Sequence, residues 1–205
     1  MTRTTLLGLG LSALAACLFA GCASTTLTSS WKDPEYTGGS PSKVLVIGVA
    51  QNAQRRRLFE DAFVRRLQER GTDALASYRV FGAEGMLTRE RVEAELRSSD
   101  IDAVLVTRLV GSKTEIVHHP ETVRVDPRVG GWHRYYAGSY EITRTPASTS
   151  EFTVLSLESN LFDKGTGKPI WSASFETVPE GSVEDVIKSF VDAALKSLED
   201  EQLVR

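Results

Sequence analysis

The sequence predicts an α/β fold: one domain with a mixed β-sheet, a parallel βαβαβ core, an antiparallel hairpin and three helices packed on the sheet. Three observations carry this. Lys43-Val44-Leu45-Val46-Ile47-Gly48-Val49 and Ala103-Val104-Leu105-Val106 are continuous apolar runs, as in strands buried on both faces. Segments with helical spacing alternate with them, and strand–helix–strand–helix–strand order favours parallel crossovers. Near the C-terminus, two strand-like runs flank Asp163-Lys164-Gly165-Thr166-Gly167, which is hairpin turn chemistry.

The first segment, residues 1–21, reads as an export signal. Arg3 supplies a positive start, residues 6–20 are apolar or small apart from Ser12, and small residues precede Cys22. As a membrane helix, residues 6–21 would span only about 24 Å against a hydrocarbon core of about 30 Å. Gly8 and Gly10 weaken such a helix further, and no basic stop-transfer cluster follows. The stretch resembles the bacterial lipoprotein signal, whose lipobox ends in a cysteine that is thioether-linked to diacylglycerol before cleavage. Leu14-Ala15-Ala16-Cys17 is the better local match, and Phe19-Ala20-Gly21-Cys22 has a less usual phenylalanine. Cys22 is nonetheless favoured. Its apolar region is longer, and the polar Ala23-Ser24-Thr25-Thr26 suits a mature start; cleavage at Cys17 would leave Cys22 as an odd thiol in an oxidising compartment. The partner this implies is membrane lipid through acylated Cys22, since two acyl chains hold where one does not. No aspartate follows Cys22, which by resemblance to enterobacterial sorting implies the outer membrane, facing the periplasm.

The mature chain then divides into a lipidated N-terminus with tether and possible edge strand, residues 22–42, and the α/β domain, residues 43–205. Leu27 and Trp31 alternate onto one face of a candidate strand over 26–31. After the buried run 43–49, the spacing of Leu58, Phe59, Ala62, Phe63 and Leu67 predicts a helix over 54–70, closed by Gly71, with Asp61 and Arg65 placed to pair. A second strand is expected over 72–81. Thr88 then caps a helix to Ser98, with Leu87 able to pack on Val92, and a third strand follows over 101–110. Residues 151–162 and 169–178 form the hairpin, Trp171, Ala173 and Phe175 sharing a face. Ser182 and Asp185 make a capping box for a last helix, whose apolar stripe runs from Val183 to Leu198.

Thr28-Ser29-Ser30-Trp31-Lys32-Asp33-Pro34, the run 43–50, Arg56-Arg57-Leu58-Phe59-Glu60-Asp61-Ala62-Phe63, Asp102-Ala103-Val104-Leu105-Val106-Thr107 and Gly165-Thr166-Gly167-Lys168-Pro169-Ile170-Trp171 together resemble a family of uncharacterised bacterial envelope lipoproteins. The likeness spans most of residues 24–200. Its plan is similar to that of small envelope lipoproteins that bind cell-wall synthases, and to the N-terminal domain of the Tol-system periplasmic protein. The resemblance implies fold and localisation and carries no activity.

Candidate chemistry is sparse. Hydrophobic residues make up 41% of the chain and charged residues 25%, a globular balance. Losing residues 1–21 removes Arg3, so the formal charge moves from −3 to −4, unsuited to nucleic acid. With Cys22 acylated and residues 1–21 cleaved, no cysteine remains for disulfides, zinc or nucleophilic attack. Ser40-Pro41-Ser42-Lys43 spells a Ser-x-x-Lys motif, but a strand follows where a helix is required. Gly165-Thr166-Gly167-Lys168 lacks the hydroxyl of a phosphate-binding loop, with Pro169 in its place. Arg55, Arg56 and Arg57 lie about 100° apart on a helix and read as a solvated basic rim. His118, His119 and His133 have no metal-ligand spacing, so neither metal nor other cofactor is expected.

The segment 117–150 is different. It reads as a flexible loop carrying Trp132, Tyr135, Tyr136 and Tyr140 among glycines, and long connections of this kind tend to be functional. These four rings are the candidate partner-binding residues; the alternative is that they fold onto the sheet. The expected function is a non-enzymatic, lipid-anchored envelope protein that binds an envelope protein as an assembly module. The alternative is a lipoprotein that binds a small ligand or cell-wall glycan in a pocket beneath the loop.

Overall fold

In the computed structural model, residues 23–82, 88–125 and 142–204 are described. Six strands form one mixed sheet: β1 (Ser24–Lys32), β2 (Lys43–Val49), β3 (Asp73–Ala76), β4 (Ala103–His119), β7 (Ser148–Asp163) and β8 (Pro169–Val178), in the order β1-β8-β7-β4-β2-β3. A separate two-stranded ladder joins β5 (Thr122–Val125) to β6 (Ile142–Thr145). Four helices are described: α1 (Ala53–Glu69), α2 (Ser77–Phe81), α3 (Arg89–Ser98) and α4 (Val183–Asp200). Strand β2 pairs in parallel with both β3 and β4, which gives the expected parallel core; every other pairing in the sheet is antiparallel.

The unbroken apolar run of β2 has a direct cause. Val44 and Val46 face a core shared with α1 and α4, whereas Leu45 and Ile47 face a smaller one shared with α2 and α3. Both faces are buried, so no polar alternation survives. The larger core is aromatic at its centre, with Phe190 edge-on to Phe175 at 5.2 Å and beside Phe59 at 5.8 Å. Trp171, Ala173 and Phe175 line its floor as expected.

Helix ends follow local chemistry. Asn52 and Thr88 accept from Arg55 N and Arg91 N, capping α1 and α3. Ser182 and Asp185 make the capping box of α4, and the Asp185 carboxyl is held below its usual range by the Ser182 hydroxyl and backbone. Helix α1 ends in a Schellman motif: Gly71 N donates to Gln68 O and Thr72 N to Leu67 O, with Gly71 at φ 80°.

Five expectations are corrected. Only 73–76 of the stretch 72–81 is strand, because Ser77 and Tyr78 turn to bind Glu60 and open α2. This raises the described helices to four. A register shift between Leu27 and Ser29 places Leu27 opposite Phe175 and Trp31 opposite Ser172, on opposite faces of the sheet. Asp61 binds the Tyr78 hydroxyl at 2.7 Å and Arg79 at 3.2 Å in place of Arg65. In its described part, the segment 117–150 is not a structureless loop. Strands β4 and β7 stay paired out to His119 and Ser148, and β5 and β6 pair beyond them.

Candidate functional site

Two features stand out at the end of the sheet where β2 and β4 point their carboxyl ends, the end of an open α/β sheet where ligands commonly bind. The first is a buried polar cluster. Arg56 and Glu60 sit one turn apart on the face of α1 that also buries Phe63 and Leu67, and both are buried. Glu60 Oε1 accepts from Arg56 Nε at 2.9 Å, from Gly48 N at 3.0 Å and from Ser77 Oγ at 2.5 Å; Glu60 Oε2 accepts from Tyr78 N at 3.0 Å. Arg56 Nη2 also donates to Ser77 Oγ at 2.6 Å. This carboxylate ties α1 to the ends of β2 and β3. A Cβ on residue 48 would sit 2.8 Å from the Phe59 ring, so glycine there lets α1 approach closely enough for these bonds.

The three arginines therefore separate. Arg55 lies exposed at the rim of a groove, Arg56 is buried in the cluster, and Arg57 lies 5.6 Å over the Tyr78 ring. The solvated rim holds for Arg55 and Arg57 and is corrected for Arg56. Its signal was present in the sequence: Arg56, Glu60, Phe63 and Leu67 follow one helical stripe, so a charged pair lay on the core face.

The groove lies beneath α3 against the second half of β2, the first part of β4 and the last residues of β7. Ile47, Val104, Val106 and Phe162 line it from the sheet and Val92 and Leu96 from α3, with Arg55, Arg97 and Lys164 among its cationic side chains. Its volume of about 1990 Å³ exceeds that of a closed small-ligand pocket, roughly 300–1,000 Å³, which marks an open trough. Its described lining holds neither histidine nor cysteine.

The second feature is a two-stranded ribbon. Strand β2 leaves β4 after the Val49–Arg108 pair, and β8 leaves β7 after Thr177–Leu155, yet β4 and β7 stay paired to His119 and Ser148, seven residues beyond the Ser112–Leu155 pair. Lys113 anchors the base of this arm, bonded at 2.9 Å to both Glu115 and Glu176, which raise its pKa well above the usual lysine range. His118 Nδ1 pairs with Thr149 Oγ1 at 3.3 Å and His119 Nε2 with Ser150 Oγ at 3.2 Å, on opposite faces of the ribbon. Among the described residues, no three His, Cys, Asp or Glu side chains gather as a metal site.

Cys22, Trp132, His133, Tyr135, Tyr136 and Tyr140 lie outside the described residues. Ser40 of the Ser-x-x-Lys match donates to Leu203 O at 3.0 Å in irregular backbone, without the helix that motif needs. Gly165-Thr166-Gly167-Lys168 closes the β7–β8 hairpin, with Thr166 N and Oγ1 both bonded to Asp163 at 2.7 Å.

No protein-family model matches the chain, and a search of curated proteins finds no match. Among solved structures, the PelC dodecamer from Paraburkholderia phytofirmans is similar at TM-score 0.45 and 14% identity, covering 89% of this chain and 99% of that one. Lipoprotein GNA1162 from Neisseria meningitidis is similar at TM-score 0.42 and 17% identity, covering 78% and 99%. A PDZ domain protein from Parabacteroides distasonis is similar at 0.40 and 8%, covering 87% and 36%. At these values the likeness assigns neither family nor function.

Proposed function

We propose that this chain is a non-enzymatic, lipid-anchored envelope protein that acts as an assembly module, with the β4–β7 arm as its binding element. The carrying observation is the arm's unpaired backbone. Among the described residues, beyond Arg108 on one side and Leu155 on the other, β4 and β7 pair only with each other. An extended edge of this kind offers donors and acceptors to an added strand, and left unguarded it is an aggregation hazard. A purpose for the edge is a partner strand that covers it. The anchor is supplied by Cys22 behind its export signal, which would place the protein on the periplasmic side of the outer membrane.

The test is site-specific photocrosslinking in the native envelope at Ile116 and Thr153, which sit on the arm, and at Thr166, in the β7–β8 turn at the far end. One defined polypeptide captured from both arm positions and not from Thr166 is expected. Replacing residues 114–153 by Asn-Gly, a two-residue hairpin turn, should abolish capture of that polypeptide while the core still melts cooperatively. Undiminished capture after arm removal would overturn the reading.

A second reading rests on the trough. Aliphatic lining with cations near it suits an amphiphile with an anionic group. Chemical-shift changes at Val104, Val106 and Leu96 on titration with a fatty acid would favour it over the arm.

A further inference from the structure

The lipid-anchor reading has a geometric consequence. In the sequence Cys22 is two residues from Ser24, and β1 begins at Ser24, already paired with Val178. Ala23 is buried. Two residues reach about 7 Å at full extension, so hardly any tether separates the acylated position from the sheet. The stretch expected to contain a tether instead enters the fold at once.

The register then fixes which end of the sheet is held. Ser24 is opposite Val178, one residue beyond the Thr177–Leu155 pair, and Leu155 is opposite Ser112. This is the end where β2 finishes at Val49, where α1 begins, and from which the arm leaves. The same end gathers the exposed aliphatic side chains. Of the large hydrophobics that are exposed among the described residues, Val49, Leu109 and Val110 are each more than half exposed at the carboxyl ends of β2 and along β4. Leu27 is at the level of Leu109 through Phe175 and Leu157, and Ile116 and Val117 are on the arm. Trp31 sits at mid-sheet, opposite Ser172, and Val183 opens α4.

Charge agrees on the α1 side. Arg55 and Arg57 are exposed in the first turn of α1, while Arg108 and Lys113 bind the carboxylates of Glu158 and Glu176. Glu184 and Asp185 make the first turn of α4 acidic beside the exposed Val183, so the basic side of this end, which also carries Val49, Leu109 and Val110, is the α1–β2–β4 side.

We infer that this end of the sheet, on its α1–β2–β4 side, rests on the bilayer, with Val49 and Leu109 in the headgroup layer and Arg55 and Arg57 against lipid phosphate. This orientation rests on the lipid-anchor reading. The arm leaves from this same end, its seven residues from Lys113 to His119 spanning about 24 Å, and its charged side chains and open edges require it to run along the membrane surface and not into hydrocarbon. A partner of the arm is then met at the membrane surface, and the β7–β8 turn points into the aqueous space.

The test uses the acylated protein in vesicles of phosphatidylethanolamine and phosphatidylglycerol. The body after Cys22 contains no cysteine, so Val49→Cys, Leu109→Cys, Asp100→Cys and Thr166→Cys each accept one environment-sensitive thiol probe. The expected result is quenching by spin-labelled lipid at 49 and 109, and by aqueous iodide at 100 and 166. Inserting eight Gly/Ser residues after Cys22 should erase the contrast. Fatty-acid labelling and vesicle flotation are read on the same samples. Acylated, vesicle-bound protein whose four probes are equally open to iodide would overturn the orientation alone; protein that neither labels nor floats would overturn the anchor and the orientation with it. A phosphatidylcholine-only vesicle that preserves the contrast would refute the contribution of the arginines.

Discussion

Replacing Glu60 by alanine tests whether the buried polar cluster holds the functional end of the sheet together. The substitution removes both carboxylate oxygens, and with them bonds from Arg56 Nε, Gly48 N, Ser77 Oγ and Tyr78 N. Arg56 stays buried with Ser77 Oγ as its remaining recorded hydrogen-bond partner. Breaking a buried ion pair from one side costs about 3–5 kcal/mol. Native stability is typically only about 5–15 kcal/mol, so the loss is a large share of the total. Removing both charges with similar volume, Arg56→Met with Glu60→Met, should cost much less, since paired desolvation is relieved. Urea unfolding followed by circular dichroism, with the slope compared between variants, reads each difference. A Glu60→Ala cost below about 1 kcal/mol, or one no larger than that of the double variant, would refute the reasoning.

Three further outcomes are expected. Phe190→Ala should cost about 3–5 kcal/mol in the same assay, because the ring is buried between Phe59 and Phe175. The Asp185 carboxyl has a depressed pKa in the fold, so its cap contribution is present above its unfolded pKa of about 3.9 and fades as pH falls through the folded value; amide exchange in the first turn of α4 should accelerate there, and Asp185→Asn should remove that pH dependence. Changing Trp132, Tyr135, Tyr136 and Tyr140 together to serine should leave the melt unchanged and abolish photocapture from Ile116, read by both assays on one preparation.

What the sequence revealed depended on whether burial imposed a period. Helix α4 was legible to its first residue, because the Ser182–Asp185 cap and the buried stripe through Phe190, Ala194 and Leu198 agree. Strand β2 was legible because two-sided burial made it uniformly apolar. The arm was not. From Val110 to His119 it is exposed or half-exposed on both faces, so its Ser, Thr, Lys, Glu and His residues show no alternation that separates a strand from a loop. Residues 77–81 were misread because short apolar segments are decided by tertiary partners, here the bonds from Ser77 and Tyr78 to Glu60. Arg56 was read with its neighbours as solvated, although the stripe it shares with Glu60 and Phe63 pointed inward.

The central claim is that this fold is held on a membrane by lipid at Cys22. Intact-mass and N-terminal peptide spectrometry of the protein from the membranes of an expressing bacterium tests it most directly. The expected species begins at Cys22 and carries a diacylglyceryl thioether, and Cys17→Ser leaves it unchanged, whereas Cys22→Ser removes the lipid. A mature chain that begins at Cys17, or one that retains Met1 without lipid, would contradict the claim.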